Sequence, residues 1–267
     1  MLGFVLGCSV AQAEVIGAQI KVSQSAFTDE TTFAKSNLSG AVELGFGSQF
    51  GVQLDFGVNR LKVVDETATN FAVHAMYKMS DSTAFGALYG LDTISGESQD
   101  FYGIEAAQSF GAGGVPGYLA SGEDSGFRGT VLGLSSGTII GKGLGIGASL
   151  DYASLGGGVS LTRFGVRGFY GQDERSKVFV EIGSLNGAIS GLGSQSEPYA
   201  KIGATYNFGH NSGLTFGDRS MFNVFPGLSF NPFKQATYRS GTLYCHGGVL
   251  RALECVAAVA IQHCFAA

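Results

Sequence analysis

The sequence predicts an all-β fold: a closed antiparallel transmembrane β-barrel of about 12 strands, followed by a short irregular or helical C-terminal tail. Three observations carry that expectation. First, stretches of about ten residues alternate strictly between apolar and small or polar positions. In FGVQLDFGVN (50–59), Phe50, Val52, Leu54, Phe56 and Val58 share one face, while Gly51, Gln53, Asp55, Gly57 and Asn59 share the other. Second, such stretches exceed the five or six residues usual for soluble strands and match the roughly 9–11 that cross a bilayer at a tilt. Third, charged residues are only 14% of the chain, against about 25% in soluble domains. The polar faces, rich in glycine, carry too little charge to be the outer surface of a soluble β-protein. A barrel resolves this by turning the apolar face to lipid and the small polar face to a wet lumen, with closure satisfying every backbone group.

From the N-terminus, Leu2 to Val10 is an apolar run followed by Ala11-Gln12-Ala13, the pattern of a secretory signal with an A-x-A cleavage site. Cleavage is expected after Ala13, giving residues 1–13 as signal peptide, 14–216 as barrel and 217–267 as a C-terminal extension. The usual basic start of such a signal is missing, which points to a start codon further upstream. No run of 18 apolar residues is present, so no membrane-crossing helix is expected. No cysteine lies between Ser9 and Tyr244, so disulfides do not build the fold.

The alternation then recurs along the chain. Ile16, Ala18, Ile20 and Val22 oppose Gly17, Gln19, Lys21 and Ser23. Leu38, Val42, Leu44 and Phe46 oppose Ser39, Glu43 and Gly45. After 50–59, Phe71, Val73, Ala75, Tyr77 and Met79 oppose Asn70, His74 and Lys78. Phe85, Ala87, Tyr89 and Leu91 oppose Ala84, Gly86 and Gly90, and Tyr102, Ile104 and Ala106 oppose Gly103 and Glu105. Segments 114–121 and 126–135 are strand-like with ambiguous faces, and Pro116 weakens the first. Leu144, Ile146, Ala148, Leu150 and Tyr152 oppose Gly145, Ser149 and Asp151. Phe164, Val166 and Tyr170 oppose Arg163, Gly165 and Arg167, and Val178, Val180 and Ile182 oppose Lys177 and Glu181. The closing strand, YAKIGATYNF (199–208), sets Ala200, Ile202, Ala204, Tyr206 and Phe208 against Lys201, Gly203, Thr205 and Asn207.

Connections alternate in length on this reading. GSQ (47–49), SDST (80–83) and GAGG (111–114) are short; 28–36, 61–69, 92–99 and 184–198 are longer and more acidic, the asymmetry of inner turns and outer loops. LGGG (155–158) and SSGTIIGK (135–142) break the pattern. The tail changes character: 213–228 reads as a plug or extension, and Arg251 to Phe265 as a short helix. It is either a separate appendage or a frameshifted end.

The inward charges are the candidate site: Lys21, Glu43, Asp55, His74, Lys78, Glu105, Asp151, Arg163, Arg167, Lys177, Glu181 and Lys201. Closure sets the basic residues of the last three strands and the first on one wall, facing Glu43 and Asp55. That arrangement is either a charged lining of a narrow pore or a set of pairs that fill the lumen. Other motifs carry less. Gly133-Leu134-Ser135-Ser136-Gly137 matches G-x-S-x-G, but Ser135 ends a strand and no helix follows. GTIIGKG (137–143) has the wrong spacing for a phosphate loop. Cys245, His246, Cys255, His263 and Cys264 lack paired zinc-ligand spacing. No enzyme, cofactor or metal is expected, and a net charge of −5 gives nucleic acid no footprint.

Taken together, the export signal, the glycine-rich alternating strands, the cysteine-free body and the closing strand YAKIGATYNF resemble the outer-membrane β-barrel proteins of Gram-negative bacteria, in the broad porin-like class. The resemblance implies an outer-membrane location and contact with its lipid and lipopolysaccharide. It also implies a terminal aromatic signal read by the barrel-assembly machinery. Tyr206 and Phe208 fit that signal, although the chain continues beyond them. The function implied is passive diffusion of small hydrophilic solutes; a closed structural or adhesive barrel acting through its outer loops is the alternative.

Overall fold

The computed structural model describes residues 13–224, apart from 30, 32, 63–64, 125–126, 156–157, 172, 174, 192 and 210–213. The expected signal segment, apart from Ala13 at the start of the first strand, the cysteine-rich tail and its helix over 251–265 fall outside the described residues.

Twelve strands form one closed barrel: β1 (Ala13–Phe27), β2 (Lys35–Phe46), β3 (Phe50–Leu61), β4 (Glu66–Ser80), β5 (Thr83–Ile94), β6 (Glu97–Phe110), β7 (Gly113–Asp124), β8 (Phe127–Ile139), β9 (Leu144–Leu155), β10 (Val159–Tyr170), β11 (Ser176–Ile189) and β12 (Gly193–Phe208). Each strand is antiparallel to the next. β12 returns to β1, from Ala18↔Phe208 to Phe27↔Tyr199, so no edge is left open to lipid. The even strand number puts the start of β1 and the end of β12 at one rim, called here the terminal rim.

The alternating apolar positions point outward. Phe50, Phe56, Val58, Phe71, Ile104, Leu150, Val180 and Ile202 are all 45% or more exposed, which leaves them for acyl chains rather than a protein core. Aromatics gather in two outward belts, Phe50, Tyr77, Phe85 and Phe110 near the terminal rim and Phe56, Phe71, Tyr89 and Tyr102 further along. Phe50 and Phe56 are separated by about 20 Å of strand, which at the usual tilt is about 15 Å of height, within a barrel's apolar band.

Five expectations need correction. The strands run 12 to 16 residues, not about ten. Their far ends leave the apolar band but continue to pair, as in Thr93↔Ser98 and Leu185↔Glu197. Alternation marks lipid contact, whereas the ladder needs only backbone, so pairing outlasts the pattern. The anticipated long loops 92–99 and 184–198 shrink to connections over 95–96 and 190–192, and the difference in connection length between the rims largely disappears. Ser95 and Gly96, at φ 53° and 80°, make the first of these a tight two-residue hairpin.

The other three corrections are local. β8 continues to Ile139, so Ser135 lies within a strand opposite Ser149 and forms no elbow; the anomalous connection 135–142 becomes a turn over 140–143. The segments without a clear face acquire one: Tyr118, Ala120 and Val131 are buried inward, and Leu119, Leu132 and Leu134 face out. A bulge between Val15 and Gly17 turns Ile16 inward against Gly45, so the regular outward series of β1 resumes at Ala18.

Many inward glycines make room for a ring on the adjacent strand. A Cβ on Gly90 would lie 2.2 Å from its cross-strand partner Phe101, and one on Gly133 would lie 2.0 Å from Tyr118. Large rings thereby fold flat against the wall of a narrow lumen.

The barrel lumen as candidate functional site

The lumen is divided along its axis. Its third furthest from the terminal rim is packed: Phe27, Phe33, Phe101, Val131, Leu161, Leu185 and Tyr199 form one buried apolar cluster, and Lys35, Asp92 and Gln99 are buried at the same strand ends. The middle holds two charged networks. The part toward the terminal rim contains a cavity of about 350 Å³ reached by Lys21, Arg167, Lys177, Asp55, Thr205 and Gln19.

One network spans β7–β12. Arg163 donates through Nε to Asp151 (2.9 Å) and through Nη1 to Glu181 (3.2 Å). Arg167 donates through Nε to the other Glu181 oxygen (2.9 Å) and lies 4.6 Å over the Phe179 ring. Tyr199 Oη donates to Glu181 (2.7 Å) and Tyr118 Oη to Asp151 (2.9 Å). Register explains this: Arg163 sits opposite Asp151, and Arg167 opposite Glu181. The expected separation of a basic wall from an acidic one is therefore replaced, for the arginines, by pairing with acids on neighbouring strands. Sequence alternation gives the face of a residue but not its cross-strand neighbour.

The second network lies on β2–β6. His74, fully buried, sits between Asp55 Oδ2 at 3.1 Å from Nε2 and Glu105 Oε1 at 2.6 Å from Nδ1. Lys78 donates to Glu43 at 3.3 Å near the terminal rim. Lys177 lines the cavity mouth. Three inward lysines differ from the rest: among the described residues Lys21, Lys177 and Lys201 have no carboxylate within 4 Å, although Lys201 is only 8% exposed.

A further occupant comes from beyond β12. Residues 214–220 and the short helix α1 (Met221–Val224) run inside the lumen along β2–β6. Thr215 donates through its backbone N–H and its hydroxyl to the two Glu43 oxygens, both at 2.8 Å. Gln53 clamps Phe216 on both sides of its backbone, donating to the carbonyl (3.2 Å) and accepting from the N–H (3.3 Å). The Phe216 ring stacks on His74 at 6.2 Å between centroids. Arg219 donates to Glu105 at 3.4 Å and lies 4.4 Å over the Tyr118 ring. Ser220 donates to Asp92 at 2.8 Å, and Asn37 donates to Asn223 at 2.8 Å. Val224 ends in the apolar cluster. The acceptors Gln53 and Asp92 were not singled out in the sequence; an inward polar residue in a strand is their only local signal.

No protein-family model matches the chain, and no curated protein matches it either. Solved structures do. The chain is similar to the KdgM porin (TM-score 0.53, 15% identity, covering 72% of this chain and 99% of that one). It is also similar to KdgM porin in complex with disordered oligogalacturonate (TM-score 0.52, 16% identity, 72% and 99%) and to the NanC porin (TM-score 0.56, 10% identity, 70% and 98%). At these identities the likeness is one of fold. The chain has the twelve-stranded closed barrel of the porin-like outer-membrane β-barrel proteins.

Proposed function

We propose that the chain is an outer-membrane channel through which small hydrophilic solutes diffuse, with a preference for anions and with no chemical step. The observation that carries this reading is the set of lysines with no carboxylate within 4 Å, Lys21 and Lys177 on the cavity wall with Arg167, and Lys201 on β12. Charges inside a membrane are costly and tend to mark solute pathways. A barrel filled only for stability would pair such cations or replace them with apolar residues. The twelve inward residues Lys21, Glu43, Asp55, His74, Lys78, Glu105, Asp151, Arg163, Arg167, Lys177, Glu181 and Lys201 surround this path, the arginines, His74, Lys78 and the acids as paired supports and Lys21, Lys177 and Lys201 as the cations that meet solute. The neighbour solved with oligogalacturonate, an anionic saccharide, is consistent with that preference. Twelve strands allow only a narrow channel, since wide aqueous pores need about 16–18.

A second reading, a non-conducting structural barrel, is favoured by the apolar cluster that fills the far third of the lumen. Planar-bilayer recording separates the two. The channel reading expects unitary conductance and a reversal potential on the anion side in a salt gradient, shifting toward cations in Lys21→Glu/Lys201→Glu. Folded protein that never conducts supports the structural barrel.

A further inference from the structure

We propose that the β2–β6 wall of the lumen is a peptide-binding site, occupied in cis by residues 214–220, that accepts an extended peptide with an aromatic side chain and a cation three residues later. This deepens the channel reading and rests on it.

Four observations support recognition rather than mere filling. The Gln53 side chain holds the Phe216 backbone from both sides, as a neighbouring strand would, and this contact reads backbone and not side chain. The ring has a shaped seat: a Cβ on Gly86 would lie 2.7 Å from Phe216, so only glycine at that position admits it. The cation has a composite seat, the Glu105 carboxylate on one side and the Tyr118 ring face on the other. Lastly, the wall keeps pairs of its own. Asp55 and Glu105 both hold His74, and Glu43 holds Lys78, so departure of the peptide strands few charges. Apart from Phe216, which packs with Met76 and Ala84, residues 214–220 are held by hydrogen bonds and one cation seat beside the cavity, contacts that exchange for water at modest cost. The site then gates the channel, closed when a peptide lies on the wall and open when the wall is bare.

Full-length protein in planar bilayers tests this. Wild type is expected to be closed most of the time. Phe216→Ala/Arg219→Ala, which removes the buried ring and the cation seat, and, from the wall side, Gly86→Leu are expected to raise the open probability about tenfold or more. A synthetic peptide of sequence LTFGDRSMFNV, added to the terminal-rim side of Phe216→Ala/Arg219→Ala, is expected to restore closure. The same peptide with glutamate in place of its arginine is expected not to. A cysteine pair at Asp92 and Ser220 is expected to hold the channel shut when oxidised and release it on reduction. Retained heat-modifiable migration in gels verifies that each variant is folded. If wild type and the loosened variants conduct equally, or if the peptide leaves the loosened variant open, the peptide site is overturned while the channel reading stands. If no folded variant conducts, both are overturned.

Discussion

Replacing Glu181 with alanine is the perturbation whose consequence the lumen geometry determines most sharply. Its two oxygens receive Arg163, Arg167 and Tyr199, and it is only 1% exposed. Breaking a buried ion pair by removing one partner costs about 3–5 kcal/mol, because the remaining charge is left uncompensated. Two features pull the value toward the lower end. Arg163 keeps Asp151, and the Arg167 side chain is 39% exposed and can reach cavity water, so its share is screened. The expected loss is about 3 kcal/mol. Glu181→Gln keeps acceptor oxygen but not charge and should lose about half as much. The assay is reversible urea unfolding of the barrel refolded into lipid vesicles, followed by tyrosine fluorescence or gel mobility. A loss of less than about 0.5 kcal/mol for alanine, the range of an exposed pair, would refute the claim that this network holds the β10–β12 wall.

Other expectations follow from the same structure. Gly90→Ala places a methyl group on the Phe101 ring and should destabilise by about 1–3 kcal/mol, while Gly168→Ala, with open space around its Cβ position, should be nearly silent in the same unfolding series. His74→Ala removes the group between Asp55 and Glu105 and should lower the urea midpoint more than any exposed substitution does, with His74→Gln partly restoring it. The exposed pair Arg60–Asp65, with side chains 69% and 80% accessible, should contribute no more than about 0.5 kcal/mol, measured as Asp65→Asn. Ser135→Ala should leave both the fold and any lipid hydrolysis background unchanged, because Ser135 sits in mid-strand opposite Ser149.

The sequence was most legible where structure is periodic over short range. The faces of Phe50–Asn59, of Phe164–Arg167 and of the closing strand follow from two-residue alternation alone, because lipid on one side and water on the other impose it at every step. It was less legible where the determinant is distant. That Arg163 meets Asp151, and His74 meets Asp55 and Glu105, depends on register between strands, which alternation leaves free. Faces were ambiguous in β7 and β8 because small residues dilute the pattern: Gly113, Gly114, Gly117, Gly129 and Gly133 offer no contrast, and Pro116 interrupts the ladder. In the sequence, 213–228 reads as a plug or extension only from its position after the last strand. Its seat on Glu43, Gln53 and Asp92 joins residues more than a hundred positions apart, and no local pattern reports it.

The whole account rests on which side of β3 touches lipid. Single spin labels placed in turn at positions 50–59 of the barrel in vesicles, with collision rates measured for oxygen and for a water-soluble nickel complex, test that directly. The structure predicts a two-residue period: labels at Phe50, Val52, Leu54, Phe56 and Val58 meet oxygen, while those at Gly51, Gln53, Asp55, Gly57 and Asn59 do not. Uniform accessibility along the strand, or oxygen contact at the odd positions instead, would contradict it.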